Sequence, residues 1–435
     1  MIASLGLLTL VSLQSNAEYA PKPFEVNGNT IAPIDIIDLE GKVVFDFESQ
    51  AAYVGASMNF QMLNKGMPLF DLRQSRILSV SLNDEEIELS KILEHDFGKD
   101  TGKMRILEME LEPGTDYNLS FHYIWEKPDS PSSQGIKWAE SGMTYDTYYS
   151  DLNPGRYLEQ WFPANLLFDQ HPFKLDIELQ GTEQKHLMIT NGAITEKKEH
   201  HWMLSFPENS TAFSHMIVIV PENDVDVMKK EAKIGKEVFQ IDVYKRKDAP
   251  NTTKVIWNES IKSLNKYVKS MGDWIHGNDY IVYVWPGSRA MEYDGSTTTT
   301  LGALDHEVFH SWFGRGVKPA SQNDGWWDEA FTVYYADERR PNRRVVTKQG
   351  KPVTLCSDNP LNRITPGSSY TLGAVFFGRV AHLIGHDNLE KHMASFYKKY
   401  AGKVASTADM ENHLIESTGN KKIKDLFSRY VYGRE

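Results

Sequence analysis

The chain has 435 residues, which is long enough for two or three domains. Of these residues 40% are hydrophobic, which is enough to build buried cores. Its 59 acidic and 47 basic residues give a net charge of −12, and no basic run dominates, which argues against a nucleic-acid-binding protein. The single cysteine, Cys356, excludes an internal disulfide.

Residues 1–17 are predicted to be a secretory signal peptide. Residues 2–11 form an apolar run that is too short to span a bilayer, and Ser15-Asn16-Ala17 has the small-x-small pattern of a cleavage site. No lysine or arginine precedes the run, so a misplaced start codon or a buried N-terminal strand is the alternative. On the signal-peptide interpretation we expect an exported protein, periplasmic or secreted, whose mature chain begins near Glu18 and contains no transmembrane segment.

Residues 18–225 are predicted to form an all-β domain. Segments that alternate or run apolar are separated by turn signals such as Asn-Asp, Pro-Gly and Asn-Gly. This pattern is typical of a large β-sandwich or saddle. The predicted strands cover residues 43–47, 77–82, 104–111, 117–124, 173–179 and 216–220.

Residues 226–435 are predicted to form an α+β domain. Segments 238–244 and 280–285 read as strands, and apolar residues recur at helical spacing between them, from Trp257 to Met271. From residue 301 the pattern is helical almost to the end of the chain. The predicted helices cover residues 301–313, 326–338, 370–384, 388–400, 407–417 and 421–430.

The main chemical signal is His306-Glu307-Val308-Phe309-His310, at the start of this helical region. Two histidines four residues apart lie on one face of a helix and can bind one metal ion. Zinc that keeps a position open for water needs a third protein ligand, and Glu329 on the next predicted helix is well placed. A pair of ordinary surface histidines is the alternative, which the downstream glutamate and its aromatic-rich surroundings disfavour. The sequence therefore predicts one Zn²⁺ per chain, bound by His306, His310 and Glu329.

With these residues the chain resembles the aminopeptidase N-like family of zinc metallopeptidases, in the gluzincin clan. His306-Glu307-x-x-His310-x-Trp312-Phe313-Gly314 matches the helix motif of the family. Trp327-Asp328-Glu329-Ala330-Phe331 is similar to its third-ligand segment, with Ala330 where glycine is usual. Phe70-Asp71-Leu72-Arg73 and Trp161-Phe162-Pro163 are similar to segments of the family's N-terminal domain.

The resemblance implies a multidomain β then α+β protein: an N-terminal β-sandwich or saddle domain followed by a thermolysin-like zinc metallopeptidase domain. Relatives usually add a large C-terminal helical domain that closes over the site. This chain resembles a short form of the family without that domain. The resemblance therefore does not imply how the substrate cleft closes or which peptide lengths are accepted.

The resemblance also implies two catalytic residues. Glu307 would be the general base that accepts a proton from the attacking water and passes it to the leaving amine. Tyr370, in Tyr370-Thr371-Leu372-Gly373-Ala374, stands where the family carries a donor for the oxyanion. Plain core packing is the alternative for Tyr370, because the chain contains 20 tyrosines.

An aminopeptidase must also bind the free α-ammonium group of its substrate, which calls for carboxylates. The family uses a Gly-x-Met-Glu-Asn strand, and this chain has Arg289-Ala290-Met291-Glu292-Tyr293. The resemblance implies that Glu292 binds the amine and that Ala290 and Met291 contact the substrate. Arg289 in place of glycine either crowds the pocket or points outward. A further amine-binding residue is not assigned, although Glu159 and Gln160 lie near the corresponding segment.

The leading hypothesis is therefore an exported zinc aminopeptidase that acts on peptides with a free N-terminus. The alternatives within enzymes are a zinc endopeptidase and a glycyl-aminopeptidase-like enzyme of the same clan. A non-catalytic peptide-binding protein on this fold is a third alternative, disfavoured because the metal ligands and the general base are all retained. The oligomeric state does not follow from the sequence.

Overall fold

The computed structural model describes residues 16–73, 75–125, 135–140, 142–147, 149–336 and 350–435. Most of the predicted signal peptide, residues 1–15, lies outside the described residues. In the described ranges, none of the helices combines the length and the apolar character that a membrane span requires.

The N-terminal region is built from strands. The strands β1 to β9 are Phe24–Val26, Asn29–Asp46, Ala51–Met62, Met67–Phe70, Ser75–Leu82, Glu85–Ile87, Ile92–Asp96, Lys103–Leu107 and Asp116–Trp125. The strands β10 to β16 are Lys137–Ala139, Gly142–Asp146, Phe173–Gln180, His186–Thr190, Ala193–Lys198, His201–Phe206 and Ile217–Pro221.

Within the described residues, twelve of these strands form one sheet, with the order β14-β15-β12-β2-β3-β9-β5-β6 and with β1, β4, β7 and β8 attached beside this path. Strand β2 runs parallel to β12 on the path and to β4 beside it, whereas the other pairs on the path are antiparallel, so the sheet is mixed. A second sheet has the order β10-β11-β16-β13.

Alternation of buried and more accessible residues explains why these segments form strands. In β3 every second residue from Ala52 to Met62 is buried and the residues between them are at least partly accessible. Side chains of a strand point to opposite faces in turn, so one face of the sheet packs into the core and the other meets solvent. The all-β prediction for this region is confirmed, with each predicted strand overlapping one in the structure.

A five-stranded sheet begins the second half of the chain, in the order β17-β18-β19-β21-β20. The strands β17 to β21 are Val225–Ile234, Glu237–Arg246, Asp279–Val284, Met291–Tyr293 and Ser296–Thr299. Helix α1 (Thr253–Met271) connects β18 to its parallel neighbour β19, and the Thr252 hydroxyl caps it by accepting from the Val255 amide. Within the described part of the chain, β20 pairs with β21 alone, so it lies at the edge of the sheet.

The rest of the chain is mainly helical, as predicted. Helix α2 (Leu304–Phe309) is much shorter than the predicted 301–313, because the chain turns at His310 and reaches Gly314 with φ +104°. Helix α3 (Trp326–Tyr335) is buried along its whole length, and the last two residues of its predicted range, 337–338, lie outside the described residues. The remaining elements are β22 (Lys318–Pro319), α4 (Leu372–Ile384), α5 (His386–Tyr400), β23 (Val404–Ala405), α6 (Thr407–Thr418) and α7 (Lys422–Tyr430).

Two large hydrophobic cores underlie the two halves, and they interlock. One core is built mainly from residues 32–225 and the other from residues 234–431. Tyr283, Met291 and Tyr293 belong to the second half in sequence but pack in the first core. Strand β20 is therefore held between the halves. The predicted domain boundary at residue 225 stays a prediction.

A buried ion cluster also joins the halves. Arg73 donates to both carboxylate oxygens of Asp71 at 2.8 Å, and Arg363 donates to Asp71 Oδ2 at 3.0 Å. Asp71 is 0% exposed and Arg363 is 1% exposed. A buried carboxylate that compensates two guanidinium groups cannot be removed without leaving uncompensated charge in a low-dielectric interior.

We expect Asp71→Asn to lower the free energy of unfolding by on the order of 3 kcal/mol, because both arginines lose their charged partner. Urea unfolding followed by tryptophan fluorescence measures the change. The matched control is Glu40→Gln, which breaks an exposed pair with Lys174 and should leave the midpoint unchanged. Equal midpoints for the two variants would contradict the structural role of the cluster.

Candidate metal centre and active-site cleft

Three predicted metal ligands meet between α2 and α3. His306 lies on α2, His310 caps the end of that helix, and Glu329 lies in the first turn of α3. The two Nε2 atoms are 3.1 Å apart, and Glu329 Oε2 is 3.4 Å from His306 Nε2 and 3.6 Å from His310 Nε2. Glu329 Oε2 is buried and has no hydrogen-bond partner among the described residues.

These distances fit a tetrahedral Zn²⁺ site. With ligand bonds of about 2.0–2.1 Å, neighbouring ligand atoms in such a site stand roughly 3.3 Å apart. A buried carboxylate oxygen without a partner is costly unless something else binds it. The two facing imidazole nitrogens and the orphaned oxygen are therefore arranged as the donor set of one cation.

Asp328 supports the second histidine, a role that was not predicted from the sequence. Its Oδ1 lies 2.5 Å from His310 Nδ1, and a proton on Nδ1 leaves Nε2 free to bind metal. The close approach requires Gly314, because a Cβ at that position would lie 2.3 Å from the Asp328 carboxylate oxygens. The sequence contains one indication of this role, which is that Asp328 directly precedes the predicted ligand Glu329.

Glu307 lies beside the ligands rather than among them. Its carboxylate, that of Glu292 and His310 offer atoms within 4.8 Å of one another, and Glu307 is 5% exposed. Burial, and then the negative charge of Glu292, raise the pKa of the Glu307 carboxyl well above its ordinary value. For Glu329, burial acts in the same direction, but the two histidines outweigh it and hold the pKa below its ordinary value.

Tyr370 comes to the same place from the turn before α4. Its hydroxyl donates to Glu329 Oε1 at 2.5 Å, on the ligand carboxylate itself. Burial, and then the charge of Glu329, raise the pKa of the Tyr370 phenol far above its ordinary value, so it stays a proton donor.

The predicted amine-binding strand is β20, and its glutamate already has a partner. Arg315 Nη2 donates to Glu292 Oε1 at 2.8 Å, and the pair is buried. Arg315 was not among the predicted site residues, although a charged residue inside the otherwise apolar, glycine-rich turn after α2 is a usable signal. Ala290 and Met291 lie on the same edge segment, with Met291 4% exposed.

Arg289 pairs with a carboxylate of the N-terminal half. Its guanidinium donates to Asp146 at 2.7 Å and lies over the Trp285 ring. Tyr293 also points away, since its hydroxyl donates to the Thr147 carbonyl in the N-terminal half. The Arg289 side chain is only 12% exposed, so it does not point outward into solvent, and it pairs with Asp146 in the N-terminal half.

Glu159 belongs to the ion cluster around Asp71, whereas Asp151 interacts electrostatically with Glu329 and Glu292. Glu159 is 0% exposed and interacts with Arg363 and Asp71 of the ion cluster. In contrast, burial and then the charges of Glu329 and Glu292 raise the pKa of Asp151 well above its ordinary value. No motif in the sequence marked Asp151.

Solved structures share this fold across both halves of the chain. An M1 zinc metallopeptidase from Deinococcus radiodurans is 17% identical, with a TM-score of 0.68 over 94% of this chain and 95% of that one. The chain has the fold of the M1 zinc metallopeptidases. The predicted fold class, a β domain followed by a thermolysin-like metallopeptidase domain, is confirmed.

Two further structures of this fold contain ligands. A mutant of the Deinococcus radiodurans enzyme, bound to Tyr-Ser-Ala as substrate, is 16% identical with a TM-score of 0.67 over 92% of this chain and 95% of that one. Aminopeptidase A of Legionella pneumophila, in complex with aspartic acid, is 13% identical with a TM-score of 0.69 over 92% of this chain but only 49% of that one. No protein-family model matches the sequence, and neither does any curated protein sequence.

We expect Asp328→Ala to weaken Zn²⁺ binding by about 10–100-fold, because His310 loses the acceptor that orients its ring. Competition with a chromophoric chelator measures the affinity without any assay of activity. Asp328→Asn keeps an acceptor oxygen and is the matched control, with a smaller loss expected. Unchanged affinity in both variants would show that Asp328 does not orient the ligand.

Proposed function

We propose that this chain is a zinc-dependent aminopeptidase that hydrolyses N-terminal residues from peptides. One geometric observation carries the proposal: the side chains of His306, His310 and Glu329 converge at metal-ligand spacing. The carboxylates of Glu307 and Glu292 stand next to them. A metal-activated water, a base beside it and an acidic pocket for an ammonium group are the parts that this reaction requires.

Each residue has a distinct task in the proposed reaction. When bound, Zn²⁺ would lower the pKa of a water molecule and polarise the peptide carbonyl. Glu307 takes the proton of the attacking water and returns it to the amine as the peptide bond breaks. The Tyr370 hydroxyl, released from Glu329, donates to the oxyanion as negative charge develops there.

Substrate binding uses the edge strand. Strand β20 pairs on one side only, so a peptide can lie along its free edge and use backbone hydrogen bonds near Ala290 and Met291. Glu292, the central residue of β20, would then accept the α-ammonium group of the first residue.

A zinc endopeptidase is the second candidate. One observation favours it, since Arg315 already occupies Glu292 Oε1, which reduces the negative charge available to a free amine. A glycyl-aminopeptidase-like activity and non-catalytic peptide binding would use the same residues. Substrate preference distinguishes the first from the leading proposal, and the absence of turnover distinguishes the second.

The place of action is proposed to be outside the cytoplasm, because residues 2–11 and Ser15-Asn16-Ala17 have the pattern of a cleaved leader. We expect the intact mass of the exported chain to correspond to a start near Glu18. A chain that keeps residues 1–17 and stays in the cytoplasmic fraction would contradict this proposal.

Two substitutions test the catalytic roles. We expect Glu307→Gln to abolish turnover while the chain still binds one Zn²⁺, because the ligands remain and only the base is lost. Tyr370→Phe should lower kcat by about 10²–10³-fold with little change in KM, as for the loss of one oxyanion donor. Initial rates on aminoacyl fluorogenic substrates and metal analysis give both results. Full activity of Glu307→Gln would refute the mechanism.

The same assay tests the aminopeptidase activity. Wild-type protein should hydrolyse peptides with a free N-terminus much faster than their N-acetylated counterparts, lose this activity with a chelator, and recover it with zinc. Equal rates on the two peptides would identify an endopeptidase, and peptide binding without turnover by zinc-loaded protein would identify a binding protein.

A further inference from the structure

Arg315 is held beside the candidate site by three hydrogen bonds. Nη2 donates to Glu292 Oε1 at 2.8 Å, Nε donates to the Glu292 carbonyl at 3.3 Å, and Nη1 donates to the Gly314 carbonyl at 3.0 Å. The side chain is 3% exposed. Its guanidinium carbon lies 3.8 Å from the centre of the Phe213 ring, which belongs to the N-terminal core. The group is therefore held from both halves of the protein.

The charge of Arg315 acts on a crowded set of carboxylates. Besides Glu292, it interacts with Asp151, Glu307 and Asp328. Arg289, the other arginine near β20, is turned toward Asp146 and cannot take this part. Arg315 is thus a positive charge, supplied by the protein itself, next to this group of carboxylates.

The geometry leaves Glu292 able to bind a second cation. A carboxylate offers about four lone-pair sites on two oxygens, and Arg315 uses Oε1. Without the guanidinium, the Glu292 side chain would be a buried carboxylate next to Glu307, free to rotate away from its negative neighbour. With it, Oε1 is tied to the Arg315 guanidinium, and the second oxygen keeps lone pairs that can accept from an ammonium group.

We propose that Arg315 is the positioning residue of the amine subsite, which fixes Glu292 so that its second carboxylate oxygen binds the α-ammonium group of the substrate. This inference rests on the proposed aminopeptidase function. Arg315 acts through Glu292 and has no contact of its own with the substrate, so its effect belongs to binding rather than to the chemical step.

The test compares Arg315→Gln, Glu292→Gln and the double variant with the wild-type chain, all zinc-loaded. Arg315→Gln should raise KM for a free-amine substrate by about tenfold, as expected when a charged hydrogen bond is lost, with kcat changed by less than about threefold. The dissociation constant of free L-leucine, measured by calorimetry, should rise by a similar factor. Zinc content should stay at one per chain.

The double variant separates positioning from general structural support. If Arg315 acts through Glu292, adding Arg315→Gln to Glu292→Gln causes no further loss of L-leucine affinity. Arg315→Lys, which keeps the charge, should recover part of the affinity, and it also carries the comparison if Arg315→Gln does not fold. Arg289→Gln is the matched control, because it removes an arginine of the same region that pairs with Asp146, and it should leave KM within about twofold.

Two results would overturn the inference: unchanged KM and L-leucine affinity in Arg315→Gln, or a loss that persists in full in the Glu292→Gln background. Failure of the proposed function looks different. If the wild-type chain hydrolyses no free-amine peptide, the aminopeptidase proposal is wrong, while the L-leucine affinities of the variants still test Arg315. A wild-type chain that binds no L-leucine overturns the inference, while hydrolysis of free-amine peptides still tests the proposed function.

Discussion

The candidate site concentrates negative charge in a buried space, and the surrounding structure is organised to tolerate it. Glu292, Glu307, Asp328 and Glu329 are each at most 6% exposed. Burying like charges together is costly unless cations compensate them. The facing nitrogens of His306 and His310 and the orphaned Glu329 oxygen fit a metal ion, while Arg315 supplies a fixed positive charge to Glu292. The positions of the side chains in this site therefore also determine how their charges are compensated.

This compensation needs both halves of the chain. Strand β20 carries Glu292 on an edge of the five-stranded sheet, but Met291 and Tyr293 pack in the N-terminal core. Phe213 from the same core supports the Arg315 guanidinium. The ion cluster around Asp71 joins the halves at a second place. The Glu292–Arg315 pair therefore depends on how the halves are joined, whereas the three candidate metal ligands come from α2, the residue that caps it, and α3.

Much of the fold could be predicted from local patterns. Alternation with period two marked the strands of the N-terminal region, and period 3.6 marked α1 and the helices after residue 301. The spacing of His306 and His310, with Glu329 on the next helix, was enough to predict that three side chains face one another. These features follow from sequence because helix and strand periodicities fix which residues share a face. The roles of Glu307, Tyr370 and Glu292 remain predictions that activity must test.

Sequence by itself thus determined the element types and the candidate metal ligands, because both depend on residues close in the chain or on a short motif. Tertiary structure decided the partners of the charged residues. Arg289 is much closer to Glu292 in sequence than Arg315 is, yet Arg289 pairs with Asp146 in the N-terminal half and the more distant Arg315 pairs with Glu292. The same holds for the segment after α2, where the missing Cβ of Gly314 leaves room for the Asp328 carboxylate that contacts His310. Such choices depend on long-range packing, which no local periodicity encodes.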